Sequence, residues 1–374
     1  MRTYIVIGAG ILGASTAYQL ARSGADVALI DRKDAGQATD AAAGIICPWL
    51  SQRRNQAWYR LAKAGARYYP ELIEQLREDG ETDTGYARVG ALSIHTDPEK
   101  IGKIEERARL RREEAPEIGD IAVLDELETH KLFPLLAEGC RAVRIGGAAR
   151  VDGRALRDAL IRAAVRHGAV LVRGDAELIY EGTRVKGAIA DGKRYLADAV
   201  IACAGAWARD LLQPLGLRFN VSFQKAQIMH LELEGDQETD SWPVVIPPSD
   251  QYLLAFEQRR IVIGATHENG VERSDTRMTA GGMQEILNKG LETAPGLADA
   301  AFVEMRTGFR PFTPGFLPVI GAVPGWEGLL AANGLGASGL TVGPYLGSQL
   351  ARLALGLETD IDLGDYEVGK ALQS

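Results

Sequence analysis

The sequence predicts an α/β chain, with a parallel sheet drawn from both ends and an α+β segment on an antiparallel sheet inserted between. Three stretches predict it. Residues 1–31 read strand, glycine turn, helix, strand, acid. Residues 219–265 hold several apolar strands with no helix between them, the mark of an antiparallel sheet. Residues 331–355 return to a glycine-rich loop running into a helix.

The first stretch is the most informative. Tyr4-Ile5-Val6-Ile7 ends on Gly8-Ala9-Gly10-Ile11-Leu12-Gly13, and a second apolar run, Val27-Ala28-Leu29-Ile30, ends on Asp31. This is the Rossmann-like dinucleotide fingerprint. Gly8 permits the tight turn, Gly10 lets backbone approach a pyrophosphate, and Gly13 lets helix pack on strand. The helix N-terminus presents free N–H groups and positive dipole to phosphates. Asp31 can accept both hydrogen bonds of an adenosine ribose. The stretch alone leaves NAD and FAD open.

Composition narrows the class. A chain of 374 residues is long for one domain, so two are expected. A net charge of −8 and the lack of a basic stripe argue against nucleic acid or anionic membrane as a partner. Three widely spaced cysteines, Cys47, Cys140 and Cys203, suit neither a disulfide framework nor a zinc site. A first strand near Thr3 leaves no room for a targeting peptide, and no apolar run is long enough to span a bilayer. A cytoplasmic protein is expected.

Further along, the small residues of 38–46 suggest a helix start pressed against something bulky and flat. Apolar positions from Asn55 to Leu76 recur at helical spacing. Gly85–His95 reads as a strand, Ile101–Glu114 and Glu126–Pro134 as helices, and 96–140 carries no recognisable chemistry. Asp152 caps a helix over Arg154–His167. A strand at 168–172, a hairpin around Glu181-Gly182, and a strand breaking at Ala204-Gly205 bring the chain back to the nucleotide. Tyr252–Phe256 and Ile261–Ala265 form a hairpin, and Met278–Leu291 a helix. Arg310, in the frame Gly308-Phe309-Arg310-Pro311, is held by rigid backbone, as suits a side chain gripping an anion bidentately.

With the βαβ unit, Ala42-Ala43-Gly44, GFRP followed by TPGFLPVIG, and the Asn333–Gly343 loop in hand, the chain resembles the D-amino-acid oxidase family of FAD enzymes. Glycine oxidase, sarcosine oxidase and D-amino-acid dehydrogenase are members. The resemblance spans nearly the whole chain. It implies an FAD-binding domain of residues 1–85, 145–217 and 305–374, and a substrate-binding domain of 86–144 and 218–304. It implies that Gly8, Gly10, Ile11, Leu12 and Gly13 bind the pyrophosphate, and Asp31 and Arg32 the adenosine end. Ala38, Thr39, Ala43, Gly44 and Ile45 would line the flavin and ribityl chain. Glu177 would hold adenine, and Ala204, Gly205 and Trp207 would flank the pyrophosphate. Leu335, Gly336, Ala337, Ser338, Gly339, Leu340 and Thr341 would face the flavin pyrimidine, where helix dipole favours the reduced ring.

The same resemblance implies that Arg310 pairs with the substrate carboxylate and that Tyr252 and His267 stand near substrate. The implied activity is oxidation of a small amino acid (a D-amino acid, glycine or an N-methyl amino acid) to the imino acid by hydride transfer to flavin. An FAD-dependent 2-hydroxy-acid dehydrogenase is the alternative. Oxygen, or a quinone or other carrier, would take the electrons. Family members with covalent flavin carry a cysteine or histidine where this chain has Phe312-Thr313 and Ala41–Ala43, so FAD is expected to be non-covalent. Cys47–Arg53 departs from the family's pattern, and no metal is expected. Whether the chain forms a homo-oligomer is left open by the sequence.

Overall fold

Parallel strands leave every edge hydrogen-bonding group to be satisfied by a neighbour, and the central pair here is the one the sequence marks first. In the computed structural model, which describes residues 2–373, Thr3–Ile7 lies between Asp26–Asp31 and Ala199–Ala202, parallel to both. Val170–Arg173 extends the sheet beyond Asp26–Asp31. Leu329–Asn333 extends it beyond Ala199–Ala202, and Val319–Ala322 closes that edge antiparallel. Among the described residues the α-helices are α1 (Ile11–Arg22), α2 (Gln56–Glu78), α3 (Pro98–Glu114), α4 (Glu126–Leu132), α5 (Gly153–Arg166), α6 (Ala208–Leu212), α7 (Ala280–Thr293) and α8 (Gly339–Leu355). Helix α1 is buried along nearly all its length, packed between α5 and α8. An apolar helix of that kind belongs to the interior, not the surface.

The second layer is an eight-stranded sheet in the order 301–312, 222–232, 260–264, 252–255, 244–246, 91–95, 141–145, 121–124. It is antiparallel as expected except for one parallel pair, Val244–Ile246 with Ala91–His95. Its outermost strand, Ala301–Phe312, runs unbroken through residue 305, so a border there would cut a strand. That strand also leads Arg310 toward the parallel sheet, where the backbone N–H of Phe309 donates to the carbonyl of Gly36 at 2.9 Å.

Local sequence explains most boundaries. Asn55 caps α2 through the Trp58 N–H, Asp97 caps α3, and Asp125 with Glu128 forms a reciprocal capping box on α4. Asp152 caps α5 through two backbone N–H groups. Helix α2 is one helix carrying Pro70 within it.

Two expectations fail for steric reasons. The small-residue run does not start a helix: one 3₁₀ turn, Ala38–Ala41, gives way to a short strand, Ile45–Ile46. Gly44, at φ +99°, crosses Val151 so closely that a Cβ would lie 1.8 Å from its carbonyl oxygen. The strand predicted from Gly85 begins only at Ala91, because Ala87 bridges Arg150 instead and Gly90 turns at φ +79°. All three cysteines are buried free thiols. Among the described residues no helix is long and apolar enough to cross a membrane.

Candidate active site

A cavity of about 710 Å³ opens at the carboxyl ends of the parallel strands and continues onto the face of the eight-stranded sheet. Crevices at strand carboxyl ends are where open α/β sheets bind ligands. Asp31, Arg32, Asp34 and Gly174–Glu177 line one part of it. Gly8, Gly10, Ile11, Leu12, Ala38, Thr39, Ala204, Gly205 and Trp207 line the next. The part toward the eight-stranded sheet is walled by Ala41–Ile45, Tyr252, His267 and Arg310. The loop residues Leu335, Gly336, Ala337, Gly339, Leu340 and Thr341 join them there. The sequence thus separates by more than 300 residues groups that the fold brings to one cleft.

Two helix N-termini open on this cleft. Helix α1 begins at Gly10, which has no side chain to cap it, with no acid in its first turn, and α8 begins at Ser338, whose hydroxyl makes no cap, likewise with no acid in its first turn. Their free N–H groups and positive dipole ends favour electron-rich ligand atoms at two separate points. The Thr39 hydroxyl accepts from the Ile11 N–H at 3.0 Å, which ties the small-residue turn to the first glycine turn. At the other end the Thr341 hydroxyl donates to the Ile45 carbonyl at 3.0 Å, tying α8 to that same segment. Asn333 donates to the Gly205 carbonyl at 2.9 Å and joins the two strand ends.

Two expected lining residues are elsewhere. Gly13 does not reach the cleft: a Cβ on it would lie 1.7 Å from the carbonyl oxygen of Gly8, so its part is close packing of α1 on the turn. Ser338 is turned away, its hydroxyl accepting from the Trp58 indole at 3.0 Å. Asp31 lines the cleft, but its carboxylate already accepts from the Ala9 N–H at 2.6 Å and the Gln37 amide at 2.9 Å. Arg32 pairs with Asp34 and Asp175.

At the sheet end, Arg310 makes no ion pair among the described residues. Its Nη1 donates to the Gln224 amide oxygen at 3.2 Å, and Gln224 donates onward to Asn269 at 3.1 Å. A guanidinium without a carboxylate, facing a cavity, carries an uncompensated charge that an anionic ligand can neutralise. Burial pushes the Tyr252 phenol up, against the pull of the neighbouring Arg310. Burial, and then Arg310, hold the His267 imidazole below its ordinary value, while Asp250 works the other way.

Sequence reasoning missed three groups here. Asp250 lines the cleft 3.5 Å from His267, Gln37 occupies Asp31, and Gln224 holds Arg310. Asp250 sits in the loop Pro247-Pro248-Ser249-Asp250, which signals a turn but no chemistry. Gln224 could have been found only from strand register, since it faces Arg310 across 86 residues of chain.

Comparison with known proteins agrees with this geometry. The chain is 64% identical over 372 residues, the whole of both chains, to the uncharacterised oxidoreductase YurR of Bacillus subtilis. It is 30% identical to glycine oxidase of Pseudomonas aeruginosa over 97% of each chain. The crystal structure of iminodiacetate oxidase from Chelativorans sp. BNC1 superposes with a TM-score of 0.94 at 46% identity, covering 97% of this chain and 98% of that one. The FAD dependent oxidoreductase family profile matches residues 3–353. An uncapped glycine turn, a second uncapped helix and an unpaired arginine on one cleft are therefore parts of a member of the FAD-dependent oxidoreductase family, the D-amino-acid oxidase group.

Proposed function

We propose that this FAD-dependent oxidoreductase oxidises a small amino acid to its imino acid, with glycine, N-substituted glycines and D-amino acids as the substrate class. The observation that carries the reading is the unpaired Arg310 facing the cleft beside Tyr252. Similarity to glycine oxidase and iminodiacetate oxidase supports an amine in place of a hydroxyl at the reacting carbon.

The residues fit the cofactor. The cavity reaches the backbone at both Gly8 and Gly10, and at Gly10 a Cβ would meet only the Thr39 hydroxyl at 3.4 Å, which leaves the turn open to a pyrophosphate. Gly8, Gly10, Ile11 and Leu12 would hold that pyrophosphate, and Arg32 and Glu177 the adenosine end. Asp31 would take the ribose once Gln37 yields. Ala38, Thr39, Ala43, Gly44 and Ile45 would line the ring system opposite Leu335–Thr341. With small side chains at Ala41–Ala43 and Phe312-Thr313 on the arginine strand, the chain offers no cysteine or histidine there, and non-covalent binding is the consistent reading.

Bound FAD supplies a two-electron acceptor for hydride. The protein's own work is placement. Arg310, oriented by Gln224 and Tyr252, would hold the substrate carboxylate by two parallel hydrogen bonds and so fix the α-carbon against the ring.

The test is a spectrum followed by substrate addition without oxygen. A yellow protein whose flavin bleaches with glycine or iminodiacetate, and forms hydrogen peroxide when air returns, is expected. Bleaching by a 2-hydroxy acid and by no amine would replace this reading with hydroxy-acid oxidation. Bleaching without peroxide would assign the electrons to a carrier instead of oxygen.

A further inference from the structure

This inference rests on the amine-oxidation reading and concerns how the amine loses its proton. The segment after Gly264 continues as an extended chain beside Ser222–Glu232. Lys225 and Glu268 exchange backbone hydrogen bonds at 3.0 and 2.9 Å, and the Thr266 N–H donates to the Gln227 carbonyl at 3.1 Å. His267 therefore stands opposite Ala226. On the other side of the same strand, Gln224 faces Arg310 and Ala226 faces Gly308.

Side chains alternate along a strand, so Arg310, Gln224, Ala226 and His267 share one face, and it is the face on the cleft. Strands lie about 4.8 Å apart and the two pairs are staggered by two residues, about 6.8 Å, which sets the arginine and histidine backbones roughly 12 Å from each other. Ala226, Gly308 and the Gln224 side chain, which itself bonds Arg310, floor the gap between them. A guanidinium and an imidazole reaching inward across that floor leave room for a carboxylate on one and a nitrogen against the other.

His267 is also oriented. Its Nδ1 lies 3.5 Å from the Asp250 carboxylate. Asp250 is fixed in turn by Lys289 at 3.0 and 3.2 Å and by the Gln251 amide at 3.2 Å, and Gln251 donates as well to the Ala265 carbonyl. With Nδ1 turned to Asp250, Nε2 has no partner among the described residues.

We propose that His267 is the proton acceptor for the substrate's ammonium group, with Asp250 as its positioning residue. The N–H bond of the ammonium breaks, its electron pair stays on nitrogen, and the proton joins Nε2 to give imidazolium beside the Asp250 carboxylate. The freed lone pair is what the α-carbon needs to part with hydride, forming the C=N bond as the C–H pair leaves to the flavin. The proton then returns to solvent at the half-exposed rim where His267 sits.

The charged groups facing the imidazole are Arg310 from its strand, Asp250 from the loop before Tyr252–Ala255, and Lys289 and Glu285 from α7. Burial and Arg310 keep it neutral near pH 7, the state an acceptor must start in.

The test compares wild-type holoenzyme with H267Q and D250N, using whichever of glycine or iminodiacetate the wild type oxidises. Wild-type kcat/KM should stay level from about pH 6.5 up to the amine's own ionisation, because ammonium and neutral imidazole coexist there. In H267Q only the rare neutral amine reacts, so kcat/KM should climb about tenfold per pH unit over that range. D250N should move the acid limb to lower pH, which a merely structural role would leave in place. FAD content reports folding, and a histidine-ring NMR titration should show a signal, missing in H267Q, that is neutral at pH 7. A wild-type profile that itself climbs tenfold per unit, or an FAD-loaded H267Q parallel to wild type, would overturn the proposal. A wild type that oxidises no amine would overturn the reading beneath it as well.

Discussion

Gly13→Ala is the smallest change that tests how the glycine turn works. The added methyl would start 1.7 Å from the Gly8 carbonyl oxygen, with the Gly8 carbonyl carbon at 3.0 Å and the Cys203 Cβ at 3.2 Å. Two of those three atoms are backbone, so no side-chain rotation relieves the contact. Overpacking of this kind costs typically 1–3 kcal/mol, and a backbone obstacle argues for about 3 kcal/mol. The unliganded chain can relax by lifting the Gly8–Gly10 turn off α1, but a pyrophosphate needs turn and helix N-terminus together. Binding would then restore the strain. At 1.4 kcal/mol per factor of ten, FAD affinity should fall about 100-fold. Fluorescence titration of the apoprotein with FAD measures this directly, with circular dichroism to show that the variant is folded. A folded Gly13→Ala protein that binds FAD within threefold of wild type would refute the packing argument.

Other perturbations read other parts of the account. His230 is 2% exposed, with neither ring nitrogen partnered among the described residues. Burial, with Arg306 and Arg260 beside it, lowers its pKa to about 3. Because the folded value lies below the unfolded one, its contribution is intact above about pH 6.5. It is lost at about 1.4 kcal/mol per pH unit as pH falls toward 3. His230→Leu should therefore lose stability less steeply than wild type between pH 6.5 and 4 in urea titrations, and parallel curves would contradict this. Arg150 is fully buried, donating to the Gly85 and Asp240 carbonyls and to Glu257 while lying over the Phe256 ring. Arg150→Met should cost about 3 kcal/mol by stranding those carbonyls, seen as a lower midpoint of chemical unfolding. Gln224→Leu should raise KM about tenfold with little change in kcat, since it frees the Arg310 guanidinium without removing it.

What the sequence showed well was whatever local chemistry dictates. The βαβ order, the Asp152 cap and the 252–265 hairpin all follow from period, caps and turns, and the structure has them, whereas the strand that carries Arg310 is seen only in the structure. The small-residue run was legible as a wall but not as a 3₁₀ turn, because its shape comes from Val151 more than a hundred residues away. Gly13 packs α1 on the turn, as its place in the glycine motif indicates, while Ser338 lies within the right loop yet faces away from the cleft, which motif membership alone does not tell. Asp250 and Gln224 stayed hidden because their meaning lies in cross-strand neighbours. In Cys47–Arg53, Trp49 is buried and Arg53 stacks over Trp58, 4.9 Å from its ring centroid.

The central claim is that an amino acid is oxidised while Arg310 holds its carboxylate. Anaerobic stopped-flow reduction of the flavin, in wild type and Arg310→Leu loaded with FAD to equal extent, tests it most directly. The account predicts rapid bleaching of wild type by glycine or iminodiacetate. In Arg310→Leu it predicts a loss of about 100-fold or more in the second-order rate, equivalent to about 3 kcal/mol of charge-assisted binding. Equal bleaching in the two proteins would contradict it.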